Sequence, residues 1–540
     1  MKNPWNLKNK SVLIVEDYDK MRQLLREMLV PLEPARIVVG KNGKEAIALL
    51  EKNAFDIVLC DYKLGNGKDG QQVLEEARHR NLLSHAAIFF IITTENTSKM
   101  VMGAIDYFPD DYISKPFTQS QIHTRLERAF RRKAKLEGIA QAINNRNFSK
   151  ALQLCDQKLQ EEANGLIEVQ KIKGDLLCKL GLLDEAEQYY IHLLKDRNIT
   201  WARLALGKVY FQKKNYTEAE IQFESLVNDN PAYVHALDGL AEVLEMQGEL
   251  ERSQCILERA IDLSPKSSMR QRKLGAVALQ NGDYEIAEKA YGDAILIGRN
   301  SCFGSLIDLA GLTKSLISQE KTKEALEAIE NIQQDYKNNP DENLYVSLCK
   351  SMVCLKTKDI AECEKNLNLV FKNLNKRTGV LNPEIVLEIT QTCLTLDNPG
   401  LTDKIIKQLV SDHSENERLL AQVKTLYEKA GKLDEANEII ESTRQEIIRI
   451  NNEGVKMVRS GKLEQSISYF IQAAKGMPNN ATINFNAAYS MIRQMKESRE
   501  TGRYFGLCQK FMEQGHKVDP SNQKYYQLLK LTEDLSNEAA

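Results

Sequence analysis

No stretch of this 540-residue chain approaches the ~20 consecutive apolar residues that a membrane-crossing helix needs. The opening segment, MKNPWNLKNKSVLIVED, carries lysines with no apolar core behind them, so no secretory leader is expected. Cysteine occurs ten times without one CxxC pair, and no Cys/His group has zinc-ligand spacing. Small buried thiols in a reducing cytoplasm are therefore expected, in place of a disulfide framework or a zinc site. Proline is limited to 12 residues and aromatics to 7%, which turns the expectation from sandwiches and barrels toward helix. Neither sign of charge dominates. The net charge is -2 at pH 7, which argues against both a nucleic-acid surface and an acidic tail. Beyond residue 130 there is no GxSxG, Walker, GGDEF or EAL motif and no winged-helix segment at the C-terminus. His192, His235, His413 and His516 stand isolated, without HExxH company, so no built-in enzyme is expected there.

What is present is an ordinary globular profile, 42% hydrophobic and 27% charged, in a chain too long for one core. Residues 1–128 alternate short β-branched runs with helical stretches, the pattern of a parallel sheet flanked by helices. The runs are Val12–Val15, Ile37–Val39, Ile57–Cys60, Ile88–Ile92 and Tyr112–Ile113. Between them Asp19–Val30, Gly43–Lys52 and Gln71–Arg80 read as helices. Continuous apolar runs suit strands covered on both faces. The reading is a five-stranded parallel α/β domain.

From Gln119 the strand signals vanish and helix follows helix to residue 540. Gln119–Glu137 holds neither Pro nor Gly, which predicts a connecting helix over 119–146 running straight on from the first domain. It is basic, with Arg125, Arg128, Arg131, Arg132, Lys133 and Lys135; a solvated face is preferred over nucleic-acid binding. Self-comparison then finds a fixed period. Gly207, Ala241 and Gly275 recur 34 residues apart, as do Ala219, Ser253 and Ala287. Phe223, Leu257 and Tyr291 keep the same step, and so do Leu226, Ala260 and Ala294, and Pro231 and Pro265. Small residues let two helices lie close, a large one fills the groove beside the next repeat, and Pro stops the second helix. This register resembles the tetratricopeptide repeat family, which implies an all-α superhelical solenoid over 147–540. The resemblance is clearest at 166–300 and 447–480 and degenerate at 300–445. Arg203 and Gln271 depart from the family pattern, four residues before the small Gly, and those hairpins are expected to pack less tightly.

Open parallel sheets place their chemistry at the carboxyl ends of the strands. Here those ends are Glu16-Asp17, Asp61, Thr93 and Lys115-Pro116. Crowded carboxylates repel one another, and a hard divalent cation with oxygen ligands relieves the repulsion. Mg²⁺ suits Asp17, Asp61, a backbone carbonyl and a phosphoryl group. A carboxylate held in this way can attack phosphorus and form an aspartyl phosphate. Mg²⁺ and Lys115 would then stabilise the phosphoryl oxygens, and Thr93 would donate its hydroxyl. The motifs VLIVED, DIVLCDYKLG, the Thr closing FFIIT, and YISKPF resemble the response-regulator receiver family. That resemblance implies a flavodoxin-like receiver with Asp61 as phosphoacceptor and Glu16 and Asp17 as the acidic metal pair. It implies Lys63 as a metal ligand through its backbone carbonyl, and Thr93 and Tyr112 as a switch pair. Lys115 would be the phosphoryl clamp before a cis proline at Pro116. A histidine kinase or phosphotransfer protein is the implied donor.

Two departures bear on behaviour. Gly65 stands where the family commonly has Pro, in a loop, Gly65–Gly70, that is one residue longer than usual and lacks the GK[ST] ending of a nucleotide P-loop. Thr94 stands where Ala or Gly is usual, narrowing the approach to Asp61, and Lys63 and Glu95 are placed to form a salt bridge across the mouth. Slow dephosphorylation is expected from these three residues. In the array, Trp201, Leu204, Phe211, His235, Met269 and Leu279 are the expected groove positions for a protein partner. The favoured function is a phosphorylation-controlled signalling adaptor in the cytoplasm of a bacterium. In it, Asp61 repacks the face of strand five and the last receiver helix, which abuts the repeats. The alternative is a phosphotransfer modulator that competes for a kinase or acts on a partner regulator. A DNA-binding regulator using the basic helix ranks third, and homodimerisation through the receiver or the mid-array stays open.

Overall fold

The computed structural model describes residues 7–94, 109–145, 147–161, 167–195, 198–335, 339, 341–374, 382–396, 399–413, 417–476, 480–498, 502–519 and 522–538. The chain divides into two compact units, Met1–Gln319 and Glu320–Ala540. The first unit opens with β1 (Ser11–Val15), β2 (Arg36–Gly40), β3 (Ile57–Asp61), β4 (Ile88–Thr93) and β5 (Asp111–Ser114). They form one parallel sheet in the order β2-β1-β3-β4-β5. Alternation sorts the strand residues onto two buried faces. Val12, Ile14, Ile57, Leu59, Phe90 and Ile92 pack under α1 (Asp19–Leu29) and α4 (Gln119–Ala134). Leu13, Val15, Val58, Cys60, Phe89 and Ile91 pack under α2 (Gly43–Lys52) and α3 (Gly70–His79). Both faces are covered, as the unbroken apolar runs predicted.

Side-chain caps fix where these helices begin. Asn42 accepts from the Glu45 amide at the start of α2, and Asp69 and Gln72 form a reciprocal capping box for α3. Thr118 and Gln121 do the same for α4. The helix expected over 119–146 is two helices, because α4 stops at Ala134 and the next spans Glu137–Asn144. Between them Leu136 turns into the interior, 3% exposed, with its amide bonded back to the Lys133 carbonyl. The basic residues of α4 are largely spent inside the protein. Arg125 pairs with Asp111, Arg131 with Glu127, Arg132 with Asp110 and Glu168, and Lys133 with Asp110.

Helical hairpins fill the rest of this unit, from Phe148–Glu161 to Ile307–Ser318. The 34-residue register is a ring-on-glycine device. A Cβ at Gly207 would lie 2.7 Å from the Phe223 ring, and one at Gly239 in the following hairpin would lie 2.7 Å from the same ring. Tyr291 is clasped in the same way between Gly275 and Gly311. The large residue therefore locks its own hairpin and the next one. Arg203 and Gln271, the departures from the pattern, are satisfied: Arg203 binds Ser225 and Asp229, and buried Gln271 reaches the Pro265 carbonyl at 3.4 Å.

The second unit is helical among its described residues, from Thr322–Asp335 to Gln523–Glu538. The ring-on-glycine contact returns between Gly454 and Phe470, and between Gly515 and Phe485. Its longest element, Leu433–Arg459, runs as one helix from the end of the degenerate stretch into the clearer one. All ten cysteines are free thiols. Among the described residues no helix is long and apolar enough to cross a membrane.

Candidate functional site

The parallel register levels the strand ends and so assembles the site. The Tyr62 amide donates to the Ile92 carbonyl at 2.7 Å and the Lys115 amide to the Thr93 carbonyl at 2.6 Å, while the Glu16 amide reaches Gly40 at 3.1 Å. Glu16, Asp61 and Thr93 are buried at the ends of their strands; Asp17 is exposed beside them. Carboxylate oxygens of Glu16, Asp17 and Asp61 lie within 4.8 Å of one another. Lys115 Nζ bridges two of them, 2.8 Å from Glu16 Oε2 and 3.0 Å from Asp61 Oδ2. The Lys115–Pro116 peptide is cis.

Burial pushes the Glu16 and Asp61 carboxyls above the usual carboxylate range, against the pull of Lys115. For Lys115 burial acts against the charge, but hydrogen bonds and charge from Glu16 and Asp61 outweigh it and raise its pKa. Three oxygen-donor groups in so small a space form a hard-cation donor set, which Mg²⁺ fits with Glu16, Asp17 and Asp61 as its holders.

The remaining sequence candidates fall around this cluster in different ways. Tyr112 pairs in register with Ile91 and packs half-buried on the α2–α3 side of the sheet. Lys63 and Thr94 are exposed at the loop ends, and Glu95 lies outside the described residues. Gly65 adopts φ +70°, a left-handed conformation closed to proline, and a Cβ there would come 3.5 Å from Asp17 Oδ2. A proline at this position could not follow the path that the loop takes beside the acidic cluster.

Two residues of the site escaped the sequence reading. Arg22 is buried on α1, pairs with Asp19 and donates to the Glu16 carbonyl at 2.5 Å. Gly70, the first residue of α3, is packed so tightly on Asp61 that a Cβ would collide with the Asp61 carbonyl oxygen. Its only sequence signal is the Asp69-Gly70 pair at a capping box.

In the array, Phe211, His235 and Met269 line one cavity of about 400 Å³, together with Asp238, Arg270 and Lys273. Four of its charges pair with one another: Arg270 holds Asp238 through two bonds of 2.7 and 2.8 Å, and Lys273 pairs with Glu242, while Lys208 adds a further cation to the lining. Trp201, Leu204 and Leu279 are not among the lining residues. Trp201 is half-buried against Tyr190, Leu204 is a core residue at 8% exposure, and Leu279 packs beside Tyr291.

Known proteins carry the same features. Residues 12–127 match the response regulator receiver domain family, and residues 204–268 match the tetratricopeptide repeat family. Chemotaxis protein CheY-3 of Vibrio cholerae is 30% identical over 125 residues, spanning 23% of this chain and 95% of that protein. Chemotaxis protein CheY of Pseudomonas aeruginosa is 26% identical over 121 residues, spanning 22% of this chain and 96% of that protein. A solved CheY-like receiver from Methanospirillum hungatei JF-1 is 20% identical, with a TM-score of 0.22, covering 24% of this chain and 98% of its own. Acidic cluster, bridging lysine, strand order and receiver match agree: the chain belongs to the response-regulator receiver family, its receiver followed by tetratricopeptide repeats.

Proposed function

We propose that this protein is a phosphorylation-controlled signalling adaptor acting in the cytoplasm. In this reading its receiver takes a phosphoryl group on Asp61, and its repeat array holds a protein partner. The observation that carries it is Lys115 Nζ, set between Glu16 Oε2 and Asp61 Oδ2 at the carboxyl end of the sheet. An Asp61 oxygen attacks phosphorus of a phosphohistidine on the donor protein. The P–N bond breaks, the new O–P bond forms, and the departing imidazole nitrogen takes up a proton. Lys115 meets negative charge on the transferring group, and buried Thr93 offers its hydroxyl from the adjacent strand end. Mg²⁺, held by Glu16, Asp17, Asp61 and the Lys63 backbone carbonyl, would neutralise the clustered carboxylates and the phosphoryl oxygens. In this reading the chemistry of the chain is this transfer and the later hydrolysis of the aspartyl phosphate. The free thiols fit a reducing compartment.

The partner surface proposed is the cavity bearing Phe211, His235 and Met269, whose apolar anchors and mixed charges suit a helix or extended segment. A role in DNA binding finds little support, since four basic residues of α4 already have acidic partners. Incubation with a small phosphodonor and Mg²⁺ tests the receiver reading: wild type acquires phosphate that hydroxylamine and base release, and Asp61→Asn does not. Equal labelling of the variant would reject Asp61. Thr94, exposed at the end of β4, is proposed to hinder the attacking water. Thr94→Ala should therefore lose its phosphoryl group faster than wild type, and an unchanged half-life would dismiss that role.

A further inference from the structure

Glu75 and Glu76 are neighbours on a receiver helix, yet only 5% and 9% exposed. Part of their cover comes from the repeat array of the same compact unit. Ser301 Oγ donates to Glu75 Oε1 at 2.9 Å. Lys68 Nζ donates to the Asn300 carbonyl at 2.5 Å while pairing with Glu76 at 2.9 Å. Gln72 Nε2 reaches the Ile297 carbonyl at 3.4 Å, and the Phe303 ring meets His79 edge-on at 4.8 Å. Nearer the strand end, Lys266 Nζ stands 3.3 Å from the Tyr62 hydroxyl and 3.5 Å from Asp69 Oδ2.

The docked segment is a firm one. Elsewhere in this stretch the hairpins are joined by short turns, Asn230–Tyr233 and Ser264–Ser267, but Arg299–Leu306 is twice as long. Arg272 holds that longer loop, donating to the Phe303 carbonyl at 2.7 Å and gripping fully buried Asp308 with two bonds. Gly298 and Gly304 approach too closely for a Cβ on Gly304. The long loop at which the 34-residue register fails is thus one of the places where the array touches the receiver.

On the receiver side the contacts grip both ends of one closed segment. Tyr62 directly follows Asp61, the Gly70 amide donates to the Tyr62 carbonyl at 2.8 Å, and Gly70 is packed against the Asp61 carbonyl. A shift of the Asp61 backbone therefore has little room to dissipate before it moves Tyr62, Asp69 or the first turn of α3.

We infer that the Asp61–Gly70 loop and the α3 surface carry the phosphorylation state of Asp61 to the repeats, with Lys266 and the Arg299–Leu306 loop as the receiving surface. This route differs from the face of β5 and the last receiver helix, and it rests on the receiver reading above. Coupling of this kind is reciprocal: what Asp61 does to the docking, the docking does to Asp61.

Hydrogen exchange on the full chain, with and without Mg²⁺ and beryllofluoride, tests it. Peptides over 110–118 report the phosphoryl site, and peptides over 297–306 report the docked loop. In wild type both segments change their exchange on addition. In the double variant Lys266→Ala, Ser301→Ala the response at 297–306 falls several-fold while that at 110–118 persists. A response at 110–118 with none at 297–306, or a remote response untouched in the variant, overturns the inference. Silence at 110–118 would instead remove the receiver reading, and this inference with it.

Discussion

Lys115 bonds buried Glu16 and Asp61 through one atom and offsets part of their charge, and in the proposed function the same atom meets the incoming phosphoryl group. Lys115→Ala is expected to slow phosphoryl acquisition on the order of 10²-fold, as loss of one preorganised charge contact commonly does. Initial rates with a small phosphodonor measure it; a change within twofold would deny the clamp. The raised Glu16 and Asp61 pKa values give a second expectation, with burial as the main cause. A carboxyl whose folded pKa is raised favours folding below its ordinary value. It loses that contribution as pH rises through the raised folded value. Near neutral pH the charged pair is therefore a cost, which Mg²⁺ would offset in the proposed function. Thermal scans of the full chain should show Mg²⁺ raising the melting temperature near neutrality and raising it less on acidification, as protons take the same oxygens. Asp61→Asn should melt higher than wild type without metal and gain less from it. A Mg²⁺ effect that grows on acidification contradicts this electrostatic reading. Glu16, Asp17, Asp61, Thr93 and Lys115 were legible because each lies within two residues of the end of an apolar run, and a parallel sheet turns that position into proximity. Arg22, Gly70 and Lys266 were not, because their roles are contacts whose partners no local pattern announces.

The helical hairpins owe their geometry to rings lying on glycines. Gly207→Val should cost ~1–3 kcal/mol by driving a branched side chain into the Phe223 ring. Gly292, on the helix Tyr284–Gly298, faces open space, so Gly292→Ala should instead gain up to ~1 kcal/mol from helix propensity. Urea titration of both variants checks the pair, and similar losses in each would remove the ring-on-glycine explanation. The Arg299–Leu306 loop rests on a buried ion pair. Arg272→Ala leaves fully buried Asp308 without its partner, a loss of ~3–5 kcal/mol that the same titration would reveal. At this scale sequence spacing conveyed the period but not the second glycine of each clasp, Gly239 or Gly311, which lies off the 34-residue register. Nor did it foretell the break after Ala134, where neither Gly nor Pro stands and burial of Leu136 decides.

Across the molecule, the first compact unit joins a receiver to its first hairpins, so the covalent junction at residue 135 is not a mechanical boundary. The sequence showed two kinds of domain, but not that α3 would be covered: Ser301 and Glu75 lie 226 positions apart. Of the expected groove residues, Phe211, His235 and Met269 share a cavity, while Leu204, at a position spacing could not distinguish, went to the core. Partner capture by the full chain should fall at least tenfold in the double variant Phe211→Ala, Met269→Ala, the scale expected when interface anchors are truncated. Undiminished capture would move the partner surface elsewhere. All of these roles depend on Asp61 carrying the phosphoryl group, and borohydride trapping measures that directly. An acyl phosphate is reduced to an alcohol, so protein treated with phosphodonor and Mg²⁺ should yield homoserine at Asp61 on peptide mapping, and none when Mg²⁺ is withheld. Homoserine at Asp17 or at a carboxylate outside the cluster, or none with a competent phosphohistidine donor, would contradict it.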